Sequence, residues 1–123
     1  MLLALLLGAC AALGIGGKEP HVVVFFEAFS VQLDQSAKRS IGLAADWAKQ
    51  HPDAPLLVIG YASSDGTTQG NKDIARLRAE IVSDTLIADG VAPARIHRRS
   101  LGAVDYRLDP QETRRVEIAL GEQ

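Results

Sequence analysis

Arg78 is the residue of this 123-residue chain whose surroundings most favour binding chemistry. It lies in a helical stretch where Ile74, Ile81 and Val82 form an apolar stripe, and a solvated arginine is not expected in such a stripe. Helix side chains lean toward the N-terminus, so the guanidinium points back toward the loop 61–66. A cation at the edge of a core requires a carboxylate or a row of carbonyls. Arg78 therefore indicates either an internal ion pair or carbonyl cap, with Asp65 as the candidate carboxylate, or a ligand site.

Other side chains with catalytic or metal-binding potential are poorly placed. His21, His51 and His97 belong to unrelated segments, and none has a second type of metal ligand at a suitable spacing. The loop residues 63–65, Ser-Ser-Asp, have no histidine beside them that could act as a base, so they suit turn chemistry better than catalysis. The sequence therefore predicts no enzyme, no metal site and no cofactor.

The loop before Arg78 connects a strand to a helix. Leu56–Ile59 is an unbroken apolar run, which is typical of a strand covered on both faces. The residues 60–71 include three glycines and several helix-capping side chains, and Asn71 or Asp73 is the expected cap. The helix that follows has an apolar stripe made of Ile74, Leu77, Ile81, Val82 and Leu86.

Four further elements complete the predicted fold. A strand is expected at 22–26, a helix from its cap at Asp34 to about Gln50, and two strands at 95–101 and 115–120. Asp89-Gly90 ends the second helix. The spacing of apolar residues in these elements predicts an α/β domain, in which two helices pack against one face of a mixed sheet.

A basic run occupies the predicted strand at 95–101. It contains Arg95, His97, Arg98 and Arg99. Charges on an edge strand protect it from aggregation, and a basic surface can also attract anionic glycan or lipid, so both interpretations stay open. The whole chain has a net charge of -2 and a hydrophobic content of 47%, which indicates one globular domain and excludes the basic excess of nucleic-acid-binding proteins.

The N-terminal segment resembles an export signal. The first twelve residues are almost all apolar, too few to span a bilayer and suited to the core of a signal peptide. They include Leu-Leu-Gly-Ala-Cys, which resembles the lipobox of bacterial lipoproteins and implies that Cys10, the single cysteine, is acylated. We therefore predict a lipoprotein signal peptide at 1–9, a lipidated cysteine and flexible tether at 10–21, and a domain at 22–121. Because Ala11 is not aspartate, analogy with lipoprotein sorting implies the outer membrane.

Four segments resemble the OmpA-like (OmpA/MotB C-terminal) peptidoglycan-binding domain. The family pattern G-H-T-D-x-x-G followed by N-x-x-L-S-x-x-R-A-x-x-V is here G-Y-A-S-S-D-G at 60–66 and N-K-D-I-A-R-L-R-A-E-I-V at 71–82. The opening F-x-x-x-S-x-x-L appears as F-E-A-F-S-V-Q-L at 26–33, and the closing N-R-R-V-E-I as T-R-R-V-E-I at 113–118. The four segments occur in the family's order, which makes the resemblance specific for the fold.

The resemblance implies a βαβαββ domain, an α+β sandwich, that binds peptidoglycan. In the family, the arginine and the H-T-D aspartate hold the carboxylate and amino groups of diaminopimelate in the cell-wall peptide. Arg78 keeps the arginine, but Ser63 replaces the aspartate and Thr113 replaces the asparagine of N-R-R. A serine can accept a hydrogen bond without supplying charge, so Asp65, two places on, is the substitute. The implied binding residues are Arg78, Ser63, Asp65, Tyr61, Asn71, Arg114 and Arg115.

These features together predict a lipoprotein on the periplasmic face of a Gram-negative outer membrane, tethering the envelope to peptidoglycan through the diaminopimelate stem peptide. The alternative is an OmpA-like domain that has lost its ligand and acts as a protein-interaction module in an envelope complex. Asp65 discriminates between them: an Asp65 carboxylate that closes on Arg78 and fills the cleft favours the interaction module, whereas an open cleft with Arg78 at its floor favours binding.

Overall fold

The computed structural model describes residues 20–103 and 113–123, which form two helices and four strands. The helices are α1 (Gln35–Gln50) and α2 (Thr68–Ala88). The strands are β1 (His21–Phe25), β2 (Leu56–Ala62), β3 (Ile96–Ala103) and β4 (Arg115–Leu120), and a 3₁₀ turn at Pro93–Arg95 precedes β3. The order of these elements along the chain is the predicted βαβαββ.

The four strands form one mixed sheet in the order β1-β4-β2-β3. β4 is antiparallel to both β1 and β2, whereas β2 and β3 are parallel. β2 therefore lies inside the sheet, as its unbroken apolar run predicts, and its register aligns Val58 with Ile118 on one side and with Arg98 on the other.

Both helices pack against one face of the sheet, and the core lies between them. Alternate residues of β2 and β4 point toward the helices, so Val58, Val116 and Ile118 are completely buried. They meet Ile41 from α1 and Leu86 from α2, which are buried to the same degree. The predicted α/β fold, a mixed sheet with two helices on one face, is thereby confirmed.

Gly60 allows α2 to approach β2 closely. A Cβ atom at this position would lie 2.1 Å from the carbonyl oxygen of Ala75 and 3.2 Å from the Cβ of Ala79. No side chain fits in that space, so the glycine sets the distance between the helix and the strand. The same approach brings the first turns of α2, including Arg78, next to the end of β2.

The helix caps were predicted in part. Asp34 caps α1 as expected, with its carboxylate accepting a hydrogen bond of 2.7 Å from the backbone N–H of Ala37. The predicted cap of α2 at Asn71 or Asp73 is wrong, because Thr67 performs this role by accepting from the N–H of Gly70 at 3.0 Å. α2 thus begins one turn earlier, and Asn71 lies buried within the helix.

The basic run is divided between two structures. Arg95 belongs to the 3₁₀ turn, and its guanidinium donates to the carbonyls of His51 and Ala54 at 2.6 and 2.8 Å. It therefore fixes the connection between α1 and β2, while His97, Arg98 and Arg99 belong to β3.

The predicted signal peptide at 1–9, Cys10 and all of the tether up to residue 19 lie outside the described residues. Within the described ranges, no helix is both long enough and apolar enough to cross a bilayer.

Candidate functional site

Arg78 lies inside the domain, where its side chain is fixed by backbone carbonyls. The residue is 1% exposed. Its Nε donates to the carbonyl of Ser30 at 2.9 Å, Nη2 to Glu27 at 3.1 Å and Nη1 to Tyr61 at 3.3 Å. We call these three carbonyl groups the carbonyl cradle. Of the two interpretations of Arg78, the carbonyl cap is therefore present in the structure.

The turn after β1 supplies two of the three carbonyls. It is closed by a hydrogen bond of 3.1 Å from the N–H of Ser30 to the carbonyl of Glu27. Phe29 within this turn has a φ of 55°, a left-handed conformation that is unfavourable for a residue with a Cβ atom, and its side chain is 69% exposed. The conformation that directs the carbonyls of Glu27 and Ser30 at Arg78 therefore includes backbone strain at Phe29.

Phe26, at the start of this turn, contacts two arginines, Arg78 and Arg114. The guanidinium of Arg78 lies over the ring of Phe26, 5.1 Å from its centroid, which is a cation–π distance. Arg114 precedes β4 and donates from Nε to the carbonyl of Phe26 at 3.1 Å, while the N–H of Phe26 donates to the carbonyl of Arg114 at 2.9 Å. Two guanidinium groups therefore bind neighbouring carbonyls of one turn.

This arrangement concentrates positive charge. Burial, and to a smaller extent the positive charge of Arg114, lower the pKa of Arg78 to about 10, so Arg78 is still protonated at neutral pH. Within the described part of the chain, no carboxylate forms a salt bridge with either arginine. The site is therefore electrostatically suited to an anionic group.

A cleft of about 260 Å³ opens on the same turn. Arg114, Glu27 and Asp34 provide its charged groups, so the lining has both signs of charge. Ser30 and Phe26 also line the cleft and contact Arg78, which places the cleft directly beside the carbonyl cradle. The complete lining consists of Phe25, Phe26, Glu27, Ser30, Gln32, Leu33, Asp34 and Arg114.

Of the predicted loop residues, only Tyr61 contacts Arg78, through its backbone carbonyl. Ser63 is half-buried and Asp65 is exposed, and among the described residues Asp65 forms no salt bridge with Arg78. Asn71 is buried in the first turn of α2, where its N–H donates to the carbonyl of Thr67. The predicted pairing of Asp65 with Arg78 is therefore absent.

Tyr61 and Arg115 are divided from Arg78 by the sheet. The Tyr61 carbonyl belongs to the carbonyl cradle, but its ring lies on the face away from the helices, 3.9 Å from the guanidinium carbon of Arg115. Arg115 donates to Glu117 at 3.0 Å, and the Tyr61 hydroxyl donates to the same carboxylate at 3.5 Å. Burial raises the pKa of Tyr61, and Glu117 raises it further. The structure therefore does not bring the Arg115 side chain together with Arg78.

Sequence reasoning missed the contribution of the turn after β1. The carbonyls of Glu27 and Ser30 reach Arg78 across 51 and 48 residues of sequence. The serine of the F-x-x-x-S segment was the available signal, because it marks this turn. The described residues contain no group of three or more His, Cys, Asp or Glu side chains arranged to hold a metal ion.

Comparison with known proteins identifies relatives of this domain. A family model described as the OmpA family matches residues 25–118. A peptidoglycan-associated lipoprotein of Mesorhizobium japonicum is 29% identical over 79 residues, which are 64% of this chain and 47% of that protein. The peptidoglycan-binding protein ArfA of Mycobacterium tuberculosis is 37% identical over 82 residues, which are 62% of this chain and 25% of that protein.

A solved structure agrees with these sequence matches. The crystal structure of the peptidoglycan-associated lipoprotein from Burkholderia pseudomallei superimposes with a TM-score of 0.74 at 26% identity, over 84% of this chain and 90% of that one. These relatives are named as a peptidoglycan-associated lipoprotein and a peptidoglycan-binding protein, and neither name describes an enzyme. With the family model spanning most of its length and the same fold in a solved relative, this chain belongs to the OmpA family.

Proposed function

We propose that this chain tethers a bacterial envelope to peptidoglycan by non-covalent binding of the diaminopimelate stem peptide. The observation that supports this most strongly is the pair of guanidinium groups, Arg78 and Arg114, that has no carboxylate partner among the described residues. A carboxylate is the anion that arginine binds with the best geometry. The names of two relatives, a peptidoglycan-associated lipoprotein and a peptidoglycan-binding protein, support peptidoglycan as the polymer that is bound.

Arg78 has donors available for the ligand's carboxylate. A guanidinium has about five N–H groups, and the carbonyl cradle uses three of them. The remaining two belong to Nη1 and Nη2, one on each, and can donate to the two oxygens of a carboxylate. The carbonyl cradle fixes the guanidinium in advance, so little side-chain entropy is lost on binding.

The ammonium end of diaminopimelate requires acceptors on the other side of the ligand. We assign these to the backbone of residues 61–64 and to Asp65, with Ser63 as a neutral acceptor. Asp65 is exposed and forms no salt bridge in the described ranges, so its carboxylate is available for an ammonium group. Arg114 forms the adjacent wall at the turn, and Asn71 supports the start of α2.

A second function is favoured by one specific observation. Arg78 is 1% exposed and already binds three carbonyls. In this conformation a ligand reaches its guanidinium only after the residues that cover it move. A domain whose arginine is satisfied internally could instead act as a protein-interaction module in an envelope complex. The two functions differ in whether purified peptidoglycan is bound.

A pull-down on purified diaminopimelate-type peptidoglycan tests the proposal. We expect weak binding by the wild type, and tighter binding by Ser63→Asp of about tenfold, because a charge-assisted hydrogen bond is stronger than a neutral one by about 1 to 2 kcal/mol. Lysine-type peptidoglycan is the ligand control, and Arg39→Ala on the exposed surface of α1 is the protein control. If the wild type does not bind and Ser63→Asp creates no binding, the interaction-module function replaces this one.

The proposed location is the periplasmic face of a Gram-negative outer membrane, with lipid on Cys10 as the anchor. Its support is the lipobox-like Leu-Leu-Gly-Ala-Cys of the sequence. More than one acyl chain makes anchoring stable, because each buried methylene contributes about 0.8 kcal/mol. Cys10→Ser is expected to release the protein from the membrane fraction and to change its electrophoretic mobility; unchanged fractionation and mobility would contradict the anchor.

A further inference from the structure

We propose that a groove between α2 and β3 binds an acidic, extended segment of a partner protein, which adds to the sheet as a new strand. This arginine groove has a volume of about 360 Å³. Its lining consists of Arg76, Ala79 and Glu80 from α2, and of Arg98, Arg99 and Ser100 from β3. It shares no lining residue with the cleft beside Arg78, so the inference is independent of peptidoglycan binding.

The charge of the arginine groove is opposite to that of the whole chain. Three arginines and one glutamate line it, whereas the chain has a net charge of -2. Arg76 is 59% exposed and reaches Asp73 and Glu80 at 3.9 and 3.7 Å, distances that give weak, solvent-screened pairs. Within the described residues, the side chains of Arg98 and Arg99 form no hydrogen bond or salt bridge. The guanidinium of Arg98 is therefore available to a carboxylate, while alternation along β3 directs the Arg99 side chain to the opposite face of the sheet.

The strand register explains why the arginines meet at a groove. Arg98 pairs with Val58 and Ser100 with Gly60, and both partners face the helices. Arg98 and Ser100 therefore point to the same side, toward Arg76 on α2. Since Gly60 holds α2 close to β2, the helix and the edge strand lie near enough to line the arginine groove together.

The backbone of β3 supplies the second recognition element. Among the described strands, β3 is an edge of the sheet and pairs with β2 alone. Alternate residues among its eight present N–H and C=O groups to the open side, which is the surface used in strand addition. Backbone pairing gives affinity for an extended chain, and the arginines select one that has carboxylates.

The same charges exclude a second copy of this chain as the occupant. Pairing of two β3 strands would bring Arg98 and Arg99 of both copies together, and like charges on adjacent strands repel. Edge charges of this kind protect a sheet from pairing with itself. An acidic segment is attracted by the charges that repel a second copy, so the occupant is a different protein.

Binding of a synthetic peptide to the purified full-length chain tests the inference. The probe is a fluorescent ten-residue peptide with alternating glutamate and valine, compared by anisotropy with one that has lysine in place of glutamate. We expect the glutamate peptide to bind and the lysine peptide not to bind. Arg98→Glu is expected to weaken binding by about tenfold or more, because it removes a charge-assisted hydrogen bond and adds a repulsive charge.

Three controls separate this inference from its alternatives. Arg39→Glu makes the same charge change on the exposed surface of α1 and is expected to leave affinity unchanged. A glutamate peptide with N-methylated valines cannot donate to β3, and its affinity is expected to fall at equal charge. The inference is overturned if Arg39→Glu weakens binding as much as Arg98→Glu, if N-methylation has no effect, or if phosphatidylglycerol vesicles bind in an Arg98-dependent way while the peptide does not.

Discussion

Replacing Arg78 by methionine removes the guanidinium while keeping an apolar side chain, and it leaves the three carbonyls of the carbonyl cradle without their donor. The site lies in the core, where Arg78 is 1% exposed, so water does not freely replace the lost donor. We expect Arg78→Met to lower the free energy of unfolding by about 3 kcal/mol.

This magnitude is the difference between two opposed effects. A hydrogen bond from a charged donor contributes about 1.5 to 3 kcal/mol, so three of them contribute roughly 4 to 9 kcal/mol. Burial and the positive charge of Arg114 oppose them, because the lowering of the Arg78 pKa to about 10 corresponds to roughly 3 kcal/mol against the charged form. The hydrogen bonds are the larger effect, and the net stabilisation by Arg78 lies between roughly 1 and 6 kcal/mol.

Urea unfolding of the wild type and of three variants measures this difference. Arg78→Lys keeps the charge but has one nitrogen, which cannot reach all three carbonyls, so we expect an intermediate loss of stability. Arg39→Met makes the same chemical change on the exposed surface of α1 and is expected to stay within about 0.5 kcal/mol of the wild type. The reasoning is refuted if Arg78→Met is as stable as Arg39→Met, or more stable, at an unchanged m-value.

Three further predictions concern the fold. Gly60→Ala is expected to destabilise the domain by at least about 3 kcal/mol in urea unfolding, because its Cβ would overlap the Ala75 carbonyl. Gly42→Ala in the open part of α1 is the control and is expected to stabilise the domain by about 0.5 to 1 kcal/mol. Equal effects of the two substitutions would contradict the close approach of α2 to β2. Phe29→Gly is expected to be more stable than Phe29→Ala by about 1 kcal/mol, since the φ of 55° favours glycine, and the reverse order would contradict that backbone conformation. In a Tyr106→Phe background, ultraviolet absorbance is expected to give a Tyr61 pKa above the ordinary 10.0, and Glu117→Gln is expected to lower it. The folded state then retains the proton longer than the unfolded state, so the contribution of Tyr61 to stability falls as the pH rises through the folded pKa, and a pKa unaffected by Glu117→Gln would contradict the assigned cause.

The elements of the fold were predictable because their signals are local. The cap at Asp34 is a property of a few adjacent residues, and so is the alternation of Val116 and Ile118. The start of α2 was not predictable in the same way, since the loop offers several side chains that can cap a helix. Thr67 caps the helix and Asn71 is buried one turn further on, an arrangement that depends on tertiary packing and not on the loop sequence alone.

The site was predictable to the extent that a single residue marked it. Arg78 stood out within an apolar stripe, and a carbonyl cap was one of its two interpretations. The carbonyls of Glu27 and Ser30 were not identifiable, because backbone groups have no sequence signature and these lie about fifty residues away in the chain. Arg115 illustrates a different error: alternation with the buried Val116 already directed its side chain away from Arg78, although the family motif grouped the two.

The energetics of Arg78 also bear on the choice between the two functions. A fold that served only its own stability could do without both the guanidinium and the turn that directs carbonyls at it, because replacing a buried ion together with its partners by well-packed apolar groups is often neutral or favourable, whereas removing the ion alone is costly. Here a guanidinium is kept beside that of Arg114, and the nearest compensation consists of carbonyl dipoles, which reduce the cost of burial without cancelling the charge. An incoming carboxylate would neutralise that charge and relieve the repulsion between the arginines. The arrangement therefore has the most to gain when an anion binds, which favours the ligand-binding function over the interaction module.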